Sequence, residues 1–500
     1  MPLQHSEQFI GYLPRIPEWR IFIFVFLGML LCIVLAEVFR TLLKLSPEFS
    51  RKFVHVSIGL IIFFLPKIFF HSLPLLVLGF IFVVVNSIAL RMEWLSGMHG
   101  TDRHSFGTVL YPISFILLVI FFWNRHPEIA AIAMLVMALG DGAAAIIGGA
   151  IHYPHFYCLS SDKKSLEGSA AMFVISFASI FGGLIYYEQD GFAWSLFLPA
   201  SLVVALTATA WEALSSGGWD NCTVPLSTGL MLACFFIPEA GIDPIQIITG
   251  AVFAVCIGIF SWKSKFLSLS GTVATSLLAL IIFGIGGWKW AAPILFFFIV
   301  SSLLSKLGKE GKAQYETLYM KSSVRDYTQV AANGGIGGLL IVLHVIFPNY
   351  DFYPLYVGSL AAVTADTWGS EIGLLRKTKT YSLPSWNSVE QGSNGGVSLL
   401  GFIGGCLGSS LLSALAYVWT QNLKVCILIV ISGVLGSAVD SILGGTLQAA
   451  FRCTNCKKFT EKRIHCGLPT NHTGGFIWID NEIVNCCCAL TGCLVMALVL

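Results

Sequence analysis

The sequence predicts an all-α polytopic membrane protein of about sixteen transmembrane helices, arranged as two related halves. Three observations lead there. Apolar residues make up 56% of the chain and charged residues only 11%, with a mean hydropathy of +0.80, which leaves too little polar surface for a water-soluble globule. Apolar runs approaching the ~20 residues that cross a bilayer recur along the whole chain. A set of acidic, Gly-rich and hydroxyl-rich motifs occurs twice in similar order.

The runs fall near residues 21–38, 53–70, 73–90, 108–122, 129–151, 168–187, 192–214 and 226–237, then 244–261, 268–286, 288–304, 329–347, 354–375, 396–418, 424–450 and 483–500. Several are short or interrupted by Gly. No segment between them is long enough to bury a core of its own. The basic segment 261–267 is the best boundary, which divides the chain into membrane domains 1–262 and 263–500.

Lys and Arg concentrate on the cytosolic side of polytopic proteins. Assigning alternate loops to one side puts 23 of the 29 basic residues there, Arg40, Lys163, Lys263, Arg376 and Lys457 among them; Arg125, Lys289 and Lys424 fall opposite, with Asp190 and Asp351. The loops carrying the polar motifs all fall on the basic side. That predicts chemistry at a cytosolic face with an anionic co-substrate. The first twenty residues carry neither a signal-peptide nor a transit-peptide pattern, which favours a bacterial inner membrane. Fourteen cysteines spread through spans and basic loops do not read as a secreted disulfide framework.

Asp141 lies in a small-residue span ending in Gly148-Gly149, where a carboxylate is costly. It reads either as a ligand of a divalent cation, Mg²⁺ by ligand hardness, or as a structural Asp paired to a Lys or hydroxyl of a neighbouring helix. Lys163, Lys164 and Ser165, with Gly168 and Ser169 at the start of a span, offer cations, hydroxyls and helix N-terminal amides to an anion. Arg51, Lys52 and His55 open the second run, with Lys52, His55 and Gly59 on one helical face. Taken alone, these cations read as snorkelling anchors. Arg103-His104, Gly107-Thr108, Tyr111-Pro112, Glu212 and Asp220-Asn221 add polar groups to the same mouth.

Together, residues 51–225 resemble the CTP-dependent polyprenol kinases, the family of phytol kinase and dolichol kinase. The carrying elements are Arg51-Lys52-x-x-His55-x-x-x-Gly59, Gly107-Thr108-x-x-Tyr111-Pro112, Gly140-Asp141, Lys164-Ser165-x-Glu167-Gly168-Ser169, and Glu212 through Asp220-Asn221-x-Thr223-Val224-Pro225. The last element resembles the phytol kinase branch. The resemblance implies transfer of the γ-phosphate of CTP to a long isoprenoid alcohol. It casts Asp141, Lys164, Glu212 and Asp220 in the reaction, with Mg²⁺ on Asp141. Arg51, Lys52, His55, Lys163, Ser165, Gly168, Ser169 and Asn221 would surround the nucleotide.

Residues 268–490 resemble a second membrane family, that of the plant phytyl-phosphate kinase. The resemblance rests on Ser305-Lys306-Leu307-Gly308, Arg325-Asp326, Asp366-Thr367-Trp368-x-Ser370-Glu371-x-Gly373, Asn394-Gly395-Gly396, Asp440-Ser441 and Asp480-Asn481. It implies a second phosphoryl transfer, from nucleotide to a prenyl monophosphate, giving the diphosphate. Asp366, Glu371 and Asp440 would take the catalytic role, Asp366 and Asp440 holding Mg²⁺. Asn394, Gly395 and Gly396 would cradle phosphates, Lys306 and Arg325 offset charge, and Asp480 and Asn481 complete the site.

Cys453-x-x-Cys456, then His465-Cys466 and His472, resembles a small zinc knuckle in count and ligand type, the alternative being a reduced-thiol loop without metal. Two rival classes fit the broad pattern: a lipid cytidylyltransferase, and a transporter built from two repeats with mid-membrane acids. The crowding of motif groups into basic loops weighs against transport. Nothing points to nucleic acid.

Overall fold

The computed structural model describes residues 16–44, 46–92, 106–187, 194–307 and 324–499; Arg103, His104 and Asp190 lie outside them. Among the described residues twelve helices are long and apolar enough to cross a membrane, with Leu269–Lys306 counted as one, and Gly107–Phe122 is a shorter apolar helix. About sixteen were expected. Asp220–Phe236, at 17 residues, is shorter, and Tyr353–Gly373 is long enough but less apolar.

The chain divides by packing into two compact units, Met1–Pro244 and Ile245–Leu500. The expected division at 262 falls one helix later. That helix, Pro244–Lys263, goes with the second unit because its Gln246 amide donates to the carbonyls of Gly284 (3.1 Å) and Ile285 (3.2 Å), and Ser276 donates to Ala254 at 3.1 Å.

The first unit contains α1 (Ile16–Leu43), α2 (Pro47–Phe64), α3 (Leu73–Arg91), α4 (Gly107–Phe122), α5 (Pro127–Ala150), α6 (Leu166–Tyr187), α7 (Trp194–Leu214) and α8 (Asp220–Phe236). Helix α2 begins at Ser46, whose hydroxyl accepts from the Phe49 amide at 3.2 Å, with Pro47 in the first turn where a missing N–H costs nothing. Helix α5 is the core, packing against α2, α4, α6 and α8. Its run of Ala, Gly and Met lets neighbours approach closely: Gly140 faces Met172 and Ser176 of α6 with no room for a side chain. Strands β1 (Phe156–Cys158) and β2 (Lys163–Ser165) form a hairpin between α5 and α6, with Tyr157 opposite Lys164.

The second unit contains α9 (Pro244–Lys263), α10 (Leu269–Ala279), a π-helical turn (Leu280–Ile285), α11 (Gly286–Lys306), α12 (Tyr327–Ile346), α13 (Tyr353–Gly373), α14 (Leu399–Thr420), α15 (Leu423–Thr446) and α16 (Asn481–Val499). The backbone breaks at Gly287, whose φ of +63° only Gly adopts readily. Helix α13 is the core here, packing against α11, α12, α14, α15 and α16. Strands β3 (Thr380–Ser382), β4 (Ser388–Val389) and β5 (Gly396–Ser398) form an antiparallel sheet before α14. Strands β6 (Ala450–Cys453), β7 (Phe459–Thr460), β8 (Ile464–His465) and β9 (Leu468–Gly474) form another before α16, in the order β7-β6-β9-β8. These loop sheets were not expected from the sequence.

Candidate active site

In the first unit one cavity of 1070 Å³ gathers the motif residues from seven elements. Arg51, Lys52 and His55 reach it from α2, Tyr111 from α4, Asp141 from α5, Lys163 and Lys164 from β2, Gly168 and Ser169 from α6, Glu212 from α7, and Asp220 and Asn221 from the start of α8. Farther along the same cavity the lining turns apolar, with Met29, Ile58, Ile62, Leu78, Phe82 and Phe115. Ile62 stands ten residues beyond Lys52 on α2, about 15 Å along the helix. The cavity therefore has a charged mouth and a greasy interior.

Lys52 forms an ion pair with Asp141, and both are only 7% exposed. A snorkelling anchor would reach into solvent, so the anchor reading of Lys52 fails. His55 Nδ1 stands 3.8 Å from the same carboxylate oxygen, and its ring lies tilted against Tyr111 with centroids 4.0 Å apart. Lys164 Nζ donates to Glu212 Oε1 and to the Glu212 backbone carbonyl, each at 2.5 Å. Burial pulls the Lys164 pKa down, but Glu212 and Asp220 more than offset it, so it stands above the ordinary lysine value. Glu212 Oε2 is buried with no hydrogen-bond partner among the described residues, and Asp220 accepts from the Asn221 amide side chain at 2.9 Å. Three hard carboxylates on one cavity wall, one with an unused oxygen, suit Mg²⁺.

Some motif residues serve the scaffold. The Gly168 amide is taken by Ser165 Oγ at 3.1 Å, which caps α6 and removes that N–H from any anion. Ser169 bonds the Tyr157 hydroxyl at 2.5 Å. Glu167 latches the hairpin by accepting from the His155 amide at 3.1 Å. The sequence reading missed several lining residues, among them Asn86, Asp162, Gly217 and Gly218. Asn86 had a signal, a lone amide inside the apolar α3, where it donates to the Thr108 carbonyl at 2.8 Å. Asp162, beside the Lys pair, accepts from the Gly217 amide at 3.1 Å and ties the hairpin to the turn before α8.

In the second unit the carboxyl groups of Asp366 on α13 and Asp440 on α15 lie side by side, and Asp440 Oδ2 is buried without a partner among the described residues. Such a pair also suits a hard divalent cation. The Arg325 guanidinium lies over the Phe297 and Phe298 rings; burial lowers its pKa and the Glu371 charge works against that shift. Gly395, at φ +72°, brings the loop before β5 against Ser441 and Gly445 of α15, beside Asp440. Asn394 and Gly396 flank it in the same loop, Gly396 pairing with Ser382. Lys306 instead donates to the Ser264 carbonyl at 3.0 Å and lies over the Phe266 ring. Asp480 caps α16 by accepting from the Ile483 amide at 3.0 Å, and half-buried Asn481 opens that helix. Cys453, Cys456, His465 and Cys466 converge on the β6–β9 sheet.

Residues 252–493 match the family described as Integral membrane protein DUF92. Protein PGR of Arabidopsis thaliana is 29% identical over 266 residues, 48% of this chain and 91% of that protein. An uncharacterized membrane protein of Methanocaldococcus jannaschii is 28% identical over 230 residues, 46% of this chain and 92% of its own length. The phytol kinase of Synechocystis sp. is 34% identical over 191 residues, 38% of this chain and 80% of that kinase. No solved structure matches the chain.

Proposed function

The chain belongs to the phytol kinase family, and from that premise we propose that it is an integral membrane phosphotransferase that moves the γ-phosphate of CTP onto a long-chain isoprenoid alcohol. The single observation that carries this reading is the two-ended cavity of the first unit. An isoprenoid tail fits among Met29, Ile62, Leu78 and Phe115, which sets its hydroxyl at the boundary with the charged mouth. Lys163, Lys164, Arg51 and His55 stand where the nucleotide phosphates would be neutralised.

Phosphoryl transfer asks for positioning and charge cancellation more than for covalent chemistry. The alcohol oxygen bonds the γ-phosphorus, the bond from that phosphorus to the β-bridging oxygen breaks, and CDP leaves. The hydroxyl proton passes to a carboxylate of the Asp141, Glu212 and Asp220 wall. Asp141, Glu212 and Asp220 would hold Mg²⁺, which would supply positive charge against the phosphates. Lys52 holds Asp141 in place, and Lys164 is held by Glu212.

For the second unit we propose phosphorylation of the prenyl monophosphate to the diphosphate, supported by the paired carboxyls of Asp366 and Asp440 beside the Gly395 loop. We place the first unit's cavity mouth and the second unit's Gly395 loop on the side of the basic loops. The test is purified full-length protein with phytol and CTP labelled at the γ- or the α-phosphate. Label from the γ-position alone should enter lipid. Label from the α-position in lipid would make the protein a cytidylyltransferase, and no labelled lipid at all would leave transport.

A further inference from the structure

We propose that Cys453, Cys456, His465 and Cys466 bind one Zn²⁺ as a closed structural site that clamps the sheet between α15 and α16. The inference stands apart from the phosphoryl-transfer reading, since it rests on four side chains that reading does not use. Their ligand atoms all lie within 4.8 Å of one another. In a tetrahedral zinc site, bonds of about 2.3 Å to sulfur and about 2.0 to 2.1 Å to nitrogen put sulfur and nitrogen roughly 3.6 Å apart. His465 Nδ1 stands 3.6 Å from Cys456 Sγ and 3.2 Å from Cys466 Sγ.

The backbone presents the ligands from two facing turns. Cys453 and Cys456 sit at the tip of the β6–β7 hairpin, which is closed by the Cys453 amide donating to the Lys458 carbonyl at 2.9 Å and the Lys457 amide donating to the Cys453 carbonyl at 3.2 Å. His465 and Cys466 sit at the tip of the β8–β9 hairpin, where His465 pairs with Leu468 across a two-residue turn. Both tips contain a non-Gly residue in the left-handed region, Lys457 at φ +60° and Cys466 at φ +53°. L-residues other than Asn and Asp seldom adopt it. Ligation of the neighbouring side chains gives each turn a reason to hold that shape.

The bland alternative is a thiol cluster packed as small apolar groups. Cys456 and Cys466 are exposed, so packing does not gather them, and all fourteen cysteines of the chain are free of disulfides. Three thiols and an imidazole are the soft set that selects Zn²⁺ over Mg²⁺, and four protein ligands leave no open position for catalysis. The clamp has a reach beyond its own loop. The same sheet module carries Glu461, which accepts from the Gln448 amide at 2.8 Å and whose charge bears on Asp440. Fixing the hairpins therefore fixes the charged surroundings of the second carboxyl pair.

The experiment is metal analysis of the full chain purified in detergent without chelator. One zinc per chain is expected, and replacing it with Co²⁺ should give the visible absorption of a tetrahedral thiolate site. Cys456→Ser and Cys466→Ser should lose the metal, and His465→Cys, which rebuilds a four-ligand set, should keep it. Should the serine variants fail to fold, mercurial titration of the unaltered chain should release one zinc as the cluster thiols react. Folded wild-type protein with no zinc above background and no tetrahedral cobalt spectrum overturns the site. So does zinc retained undiminished in folded Cys456→Ser and Cys466→Ser.

Discussion

Lys164 donates to Glu212 twice, to the side-chain Oε1 and to the backbone carbonyl, and so ties the strand after α5 to the end of α7. Across the same cavity Lys52 is paired to Asp141. The mouth thus holds two lysine–carboxylate pairs, each close to neutral as a unit. On the proposed reading, a nucleotide phosphate would compete with the carboxylates for these ammonium groups, and the carboxylates so released would be free to hold a cation. Unpaired charges at this burial would cost far more to hold ready.

The Lys164 pairing has a pH signature. Its pKa is raised in the folded state, so the stability it contributes is complete below the ordinary lysine value and is lost only as pH rises through the raised one. Nucleotide affinity carried by Lys164 should therefore be flat through neutral pH. Glu212→Gln leaves burial to act with less opposition, and the alkaline fall in CTP affinity should move to lower pH. Affinity of the folded variant that falls at the same pH as wild type would remove Lys164 from the site.

Lys52→Ala strands the Asp141 carboxylate in a buried position. Breaking such a pair from one side costs ~3–5 kcal/mol, whereas removing both charges together costs much less. Unfolding in detergent should therefore show Lys52→Ala strongly destabilised and Lys52→Ala with Asp141→Asn largely restored, yet inactive. A double variant no more stable than Lys52→Ala would mean the pair is a crossing of surface charges.

These two pairs mark where sequence reading stops. Each expected apolar run coincides with a helix, because twenty apolar residues in lipid must satisfy their own backbone groups. Asp141 was legible as a costly carboxylate, but its partner depends on where α2 crosses α5, and that crossing is set by Gly59 lying against Ala138. The loop sheets were illegible because strands as short as Ser388–Val389 carry no period-two pattern. Lys306 and Arg325 looked equivalent. Only Arg325 is buried within reach of the Glu371 charge, and its backbone is pinned on both sides, its amide donating to Phe266 (3.0 Å) and its carbonyl accepting from Ser268 (2.9 Å).

Sidedness is checked with trypsin on sealed vesicles. Arg376, Lys377, Lys379 and Lys457 are exposed in loops placed on the basic side, while Arg125 lies in a loop, and Lys424 in the first turn of α15, placed opposite. Inverted bacterial membrane vesicles should be cut at the first group and protected at the second. The reverse pattern, or cutting at both Arg376 and Arg125 in sealed vesicles, sinks the common cytosolic face.

Gly401 tests the packing under the second site. A Cβ there would lie 2.8 Å from the Gly369 carbonyl of α13, a backbone atom that has little freedom to yield, whereas one at Gly182 meets nothing within 4 Å. Overpacking of this kind costs typically ~1–3 kcal/mol. Gly401→Ala should lower the Tm and Gly182→Ala should not. Equal Tm values would show that α13 and α14 separate without penalty.

The independence of the two chemistries is the widest claim, and the two core helices test it. Asp141 lies on α5 and Asp366 on α13, each the most enclosed helix of its own unit, and each helix is followed by a short sheet whose closing serine caps the next helix. Asp→Asn at either position removes a charge without opening a cavity. If each carboxylate serves its own metal, Asp141→Asn should stop prenol phosphorylation while leaving conversion of supplied prenyl monophosphate to diphosphate. Asp366→Asn should do the reverse and let monophosphate accumulate from prenol. A metal contact to a transferring phosphoryl group stabilises the transition state by several kcal/mol, so each loss should be on the order of a thousandfold. Thin-layer separation of labelled mono- and diphosphate reads both steps in one assay. If folded Asp141→Asn blocks both steps even with monophosphate supplied, the units share one composite reaction and two separate activities cannot stand.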